Sequence, residues 1–150
     1  MIKALYTLLY RRELVPDDDA DSKRRALQLA TAALLMEVAD ADYDVSDAER
    51  DAIRKIVEEK FSITPDEAEE IAARAEQDAG HVTSLYPFTR KIVAECSMDE
   101  RIEIIGMLWQ VTAVDGCIDA HEEHLVRKIA KLLYVPHGQF IRMRHKHDKY

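Results

Sequence analysis

The chain has 150 residues, 47% of them apolar and 33% charged, with 4 Gly, 4 Pro and a net charge of −8. That composition supplies a core and few helix breakers, and it fits a soluble helical protein and not a disordered chain. The acidic balance argues against general nucleic-acid binding, which needs Lys and Arg to displace counterions from phosphate.

Cys96 and Cys117 sit in no paired-cysteine spacing, which argues against a disulfide framework or a zinc site and for a reducing cytoplasm. No apolar run approaches the ~20 residues that a membrane span needs. At the N-terminus, Ile2, Leu5, Tyr6 and Leu9 fall at helical spacing and predict a short amphipathic helix docked on the chain's own core. The acidic stretch Pro16–Ser22 reads as a linker, so residues 1–22 form an N-terminal helix and linker ahead of the rest. Ser22 is a candidate cap for a helix running to about Ala39, with a stripe of Leu27, Ala30, Thr31, Leu34, Leu35 and Val38.

A start signal then recurs. Ser46, Thr64 and Ser97 are each followed three residues later by Glu (Glu49, Glu67, Glu100), the reciprocal arrangement of a capping box. Pro65 fits the first helical position, where a missing N–H costs nothing. Asp119 and Glu122 repeat the device with Asp as the cap. After Ser46, the residues Ala52, Ile53, Ile56 and Val57 make a buried stripe. After Thr64, Ala68, Ile71, Ala72 and Ala75 make a thinner one, expected to end at Gly80. Ser84–Cys96 places Leu85, Phe88, Ile92 and Cys96 on one face. Met98–Val114, rich in Ile, Leu, Met and Trp, is expected to be the most buried helix. His121–Leu133 carries Leu125, Val126, Ile129 and Leu132, and a last helix around Gly138–His147 turns basic. No segment alternates with period two. The chain is therefore predicted to be all-α, a single compact bundle of about seven to eight helices.

The chain also repeats itself. Leu34–Val57 and Met107–Ala130 align without a gap at an offset of 73 residues and share 7 of 24 positions, among them Asp42/Asp115, Glu49/Glu122 and Arg54/Arg127. The repeats, near 34–60 and 107–133, predict two pseudo-symmetric helix–loop–helix units, each with an acidic loop.

Those loops carry the chemistry. Asp42, Asp44 and Glu49 from the first, and Asp115, Asp119 and Glu122 from the second, offer oxygens of the kind that hard cations such as Ca²⁺ or Mg²⁺ prefer. Asp40, Asp42 and Asp44 open like a calcium-binding loop. However, Val45 stands where that loop needs Gly, and Asp51 stands where it needs a bidentate Glu. The competing reading is structural. Ser46 and Asp119 cap helices, as do Thr64 and Ser97, and the glutamates reach back to the caps. A helix N-terminus is partly positive, so it favours carboxylates and disfavours a cation beside them. The two readings are compatible, since one carboxylate oxygen can cap while the other binds. His121 and His124 read as an exposed helix face, His145 and His147 as a solvated tail, and Cys117 as a small buried apolar residue. No phosphate-cradling glycine loop, nucleophile elbow or HExxH pair is present.

The stretch LWQVTAVDGCIDAHE (Leu108–Glu122), together with MEVADADYDVSDAE (Met36–Glu49), resembles the signature of the tellurite-resistance TerB-like family, over roughly residues 24–147. The resemblance implies an all-helical domain whose two acidic loops lie near each other and hold a divalent cation. The family's acidic positions fall on Asp42, Glu49, Asp115 and Glu122, and its caps on Ser46 and Asp119. The Gly that usually follows the first Asp is Tyr43 here, while Gly116 keeps it in the second copy. The family's associations imply tellurite resistance, stress response, a protein partner and a membrane-linked complex, and a related domain is fused to J-domain cochaperones. The expected function is a non-catalytic cytoplasmic module that binds a divalent cation through the paired loops. The alternative is a metal-free interaction module whose acidic patch docks a basic partner.

Overall fold

The computed structural model describes residues 20–40, 46–78, 85–115 and 119–147. The predicted N-terminal helix, Gly80, Ser84 and Cys117 lie outside the described residues. Among these residues the structure is all-α, with seven α-helices, one 3₁₀ turn and no strand. In chain order they are α1 (Ala20–Ala39), α2 (Asp47–Phe61), α3 (Pro65–Asp78), α4 (Tyr86–Glu95) and α5 (Met98–Thr112). The 3₁₀ turn (Ala113–Asp115), α6 (Ala120–Leu132) and α7 (His137–His147) follow. Because α1 begins at Ala20, residues 20–22 of the predicted linker are helical, and Ser22 lies inside the helix instead of capping it.

Helix α1 is buried on nearly every side. Gln28 to Met36 are all buried without a break, a longer run than Ile104–Trp109 of α5, which was expected to be the most buried helix. The reason is side-chain size. Ala30, Ala32 and Ala33 present no bulk, so α1 packs at once against α2, α3, α4, α5 and α6. Thr31 satisfies its hydroxyl inside the helix, donating to the Leu27 carbonyl at 2.9 Å.

Helices α2 and α3 form a tight pair across the short Ser62–Thr64 connection. Ser62 ends α2 in the left-handed region (φ 52°), and Arg24 of α1 donates to the Phe61 carbonyl at 3.1 Å. Arg50 pairs with Glu76, and Arg54 with Glu69 at 3.7 Å, across the α2–α3 seam.

The second half is anchored on α5, which packs against α1, α2, α6 and α7. Trp109 donates its indole N–H to the Phe140 carbonyl at 3.3 Å, and the two rings lie 5.2 Å apart. The Arg144 guanidinium lies 5.5 Å from the Trp109 ring centroid, and that of Arg127 lies 5.6 Å from Phe140. Both arginines also hydrogen-bond Glu123 at 3.0 Å, tying α6 to α7. Gly106 permits the close α5–α7 approach, since a Cβ there would overlap Met143 Cε and stand 3.1 Å from His147 Nε2. His147 therefore belongs to the packed surface of α7, with Nδ1 3.3 Å from Gln110 Nε2, and is not the solvated tail residue expected. Burial, with Glu100 next, pushes the Cys96 thiol up to about 11, so this buried cysteine stays protonated and inert.

Two predictions follow from this packing. Ala32→Leu inserts bulk where α1 has neighbours on all sides and should destabilise by about 1–3 kcal/mol in urea unfolding. The same change at exposed Ala48 should stay within about 0.5 kcal/mol. The second concerns His147, held below its ordinary value of 6.5 by burial, then Lys146, then Lys60. The unfolded chain therefore takes up this proton more readily than the folded one. The stability this group contributes is complete above its unfolded value and is lost as pH falls through the lowered folded value. Between about pH 7.5 and about pH 5, the melting temperature should fall more steeply in the wild type than in His147→Gln.

Candidate functional site: the helix starts of the two acidic loops

The first loop ends at Ser46, which caps α2. Its Oγ accepts from the Glu49 N–H at 3.1 Å. In return Glu49 Oε1 accepts from the Ser46 N–H at 3.2 Å and from the Ser46 hydroxyl at 3.0 Å. This is a closed capping box that satisfies free helix donors in both directions. Ser97 builds the same box with Glu100 at the start of α5, at 3.2 and 3.0 Å. At the start of α3, Thr64 Oγ1 accepts from the Glu67 N–H at 3.2 Å. The second loop ends at Asp119, which caps α6 with a difference of register. Its Oδ1 accepts from the His121 N–H at 2.7 Å, two residues on, where Ser46 and Ser97 reach three.

The glutamates separate the repeat pair from the ordinary caps. Glu100 is exposed, whereas Glu49 and Glu122 are only 2% and 4% exposed. A carboxylate withdrawn from water needs compensation. For Glu49 the box and the α2 N-terminus provide part of it. The neighbouring positions repeat as well: Ile53 and Val126, Ile56 and Ile129, and Val57 and Ala130 are all buried at the same offset.

The remaining predicted ligands are placed unevenly. Asp42 and Asp44 lie outside the described residues, as does the side chain of Asp115, the last residue of the 3₁₀ turn. The structure does bring α2 against that turn. The helix that the first loop leads into thus packs beside the element from which the second loop departs. Asp51, the twelfth position of the calcium-loop comparison, is exposed on α2. His121 and His124 are exposed on α6. Among the described residues, no three His, Cys, Asp or Glu side chains gather as a metal site would require, and no helix is long and apolar enough to cross a membrane.

A family model described as tellurite resistance protein TerB matches residues 28–145. The chain belongs to the TerB family. No curated protein and no solved structure matches it. The TerB match runs from α1 to α7 and so takes in both helix starts and both buried glutamates. It makes this chain a helical module related to tellurite resistance.

Sequence reasoning found the positions Glu49 and Glu122 through the repeat but not their burial, because a capping glutamate is normally solvated, as Glu100 is.

The box at Ser46 carries more weight than the one at Ser97, because it also supports a buried carboxylate. Ser46→Ala should cost about 1–2 kcal/mol in urea unfolding, and Ser97→Ala about 0.5–1 kcal/mol. Equal costs would mean that the burial of Glu49 adds nothing to its cap.

Proposed function

We propose that this TerB-family chain is a non-catalytic cytoplasmic module that binds a divalent cation, Ca²⁺ or Mg²⁺, between its paired acidic loops in a tellurite or stress response. The observation that carries this reading is the packing of α2, whose first turn buries Glu49, against the 3₁₀ turn that precedes α6, whose first turn buries Glu122 at the equivalent repeat position. The donor set fits a hard cation: Asp42, Asp44, Glu49, Asp115, Asp119 and Glu122 offer carboxylate oxygen, and no soft ligand is needed. A bound ion would offset repulsion between the loops and stabilise their mutual arrangement, so that cation binding and partner binding reinforce one another. The partner on this reading is a protein, in a membrane-associated complex.

A second reading has its own support. The closed box already engages Glu49 Oε1 with no ion required. On that reading the acidic loops dock a basic partner directly, and the interaction weakens with salt and is indifferent to chelator.

Calorimetric titration of chelator-treated protein with Ca²⁺, then Mg²⁺, Mn²⁺ and Zn²⁺, decides between them. We expect saturable binding of about one ion per chain and stabilisation of about 2.7 kcal/mol at a hundredfold excess over Kd. Asp115→Asn should abolish both. No heat and no thermal shift at millimolar ion would overturn cation binding and leave these carboxylates as caps and a docking face.

A further inference from the structure

The charge of this molecule is divided between two helix pairs. From Asp47 to Asp78, covering α2 and α3, there are eleven acidic residues against five basic. From Ala120 to His147, covering α6 and α7, there are two acidic residues against six basic. The two pairs share no extensive packing.

On each pair, internal bridges consume some charges and leave others. Glu123 takes Arg127 and Arg144. Lys128, Lys131, Arg142 and Lys146 are exposed and make no ion pair among the described residues. On the acidic pair, Arg50, Arg54 and Arg74 are held by Glu76, Glu69 and Glu70. Asp51, Glu59 and Asp66 are exposed and make no ion pair among the described residues.

Between the two basic helices stands Tyr134. Its N–H donates to the Lys131 carbonyl at 3.1 Å, and the Val135 N–H donates to that of Ala130 at 2.9 Å. These bonds close a Schellman turn in which Tyr134 takes the left-handed position (φ 58°), where Gly is the usual residue. A tyrosine there pays backbone strain, yet its side chain is 71% exposed and recovers little by packing within the chain. Tyrosine is a residue that interfaces favour, because it offers rigid apolar area with a polar tip.

We propose that the α6–α7 face of one molecule docks head to tail on the α2–α3 face of a second copy, with Tyr134 inside the contact. The charge complementarity of the two faces carries the proposal, which is independent of cation binding at the loops. Each copy has net charge −8, but at physiological salt the Debye length is about 8 Å, so long-range repulsion is screened while facing charges still attract. The contact joins different faces. It is heterologous, and each pairing leaves one complementary face unused on each partner.

Sedimentation equilibrium of the full chain, with chelator present, tests this. The wild type should associate in a concentration-dependent way at about 0.1 M salt and dissociate toward monomer at about 0.5 M. Lys128→Glu/Lys131→Glu keeps only the acidic face, and Asp51→Lys/Glu59→Lys keeps only the basic one, so each alone should be monomeric. Mixed, they should form a 1:1 dimer and nothing larger, because each brings the one face the other lacks. Tyr134→Gly should raise the melting temperature while weakening association. A wild type that stays monomeric at low salt, variants that still self-associate, or a mixture that does not pair would each overturn the proposal. So would a monomeric wild type that binds phosphatidylserine vesicles through Lys128 and Lys131, which would assign the face to anionic lipid.

Discussion

Helix α1 is the constraint on which the rest of the fold depends. A helix with neighbours on five sides cannot separate an apolar stripe from a polar one, and α1 does not: from Gln28 to Met36 every residue is buried. Two physical conditions make this tolerable. The backbone satisfies its own hydrogen bonds, so burial costs nothing there. Of the two polar side chains in that run, Thr31 bonds back to the Leu27 carbonyl within the helix. The alanines set the spacing, letting neighbouring helices come close, while Leu34, Leu35 and Met36 fill what remains.

With α1 fixed, α5 becomes the second axis and the two helix pairs become its flanks. The α2–α3 pair is closed by cross-helix ion pairs at its rim, and the α6–α7 pair by aromatic and guanidinium contacts around Phe140 and Trp109. These serve different ends. Exposed ion pairs contribute little energy and mainly favour one alignment. The Trp109–Phe140 contact buries large rings and satisfies the indole N–H, so it secures α7 to the core. Arg101 adds a bond from α5 to the Leu133 carbonyl at 2.8 Å, satisfying an acceptor at the end of α6. The seating of α2 on the 3₁₀ turn belongs to this frame, since the turn continues directly from α5, against which α2 also packs.

The parts of the fold that were legible in the sequence are those whose cause is local. Ser46 and Ser97 mark helix starts because cap and glutamate act over three residues, and the stripes of α2, α3 and α4 follow from periodicity alone. The illegible parts have distant causes. Alanine and glutamine give no sign that α1 is buried all round, since an alanine suits a core or a surface equally. Nothing local marks Gly106 as a clearance; only the position of Met143 and His147 shows it. His147 itself looks like a solvated tail residue because its partner Gln110 lies 37 positions away. The candidate site was half legible. The repeat identified Glu49 and Glu122, but whether a capping glutamate is solvated depends on what packs over it, which local sequence does not carry.

Buried glutamates at equivalent places in two repeats limit what the site can be. A helix N-terminus stabilises a nearby carboxylate by about 0.3–1 kcal/mol when exposed and up to ~2 kcal/mol when partly buried. Withdrawing an ionised carboxylate from water costs several kcal/mol. Capping alone therefore covers only part of the cost, and the balance must come from further hydrogen bonds, from a neighbouring cation or from a shift toward the protonated form. For Glu49, the Ser46 N–H and hydroxyl supply two such bonds to one oxygen. At the start of α6 the cap itself differs, because Asp119 Oδ1 accepts from the His121 N–H, where Ser46 Oγ accepts from the N–H of Glu49. The two starts are thus unequal in their capping, because the repeat keeps the glutamate but exchanges the cap, Ser46 for Asp119. Each of the two buried carboxylates therefore sits behind a different kind of cap, Ser46 reaching the third residue of its helix and Asp119 the second, so the two starts are not interchangeable even where the glutamate is the same.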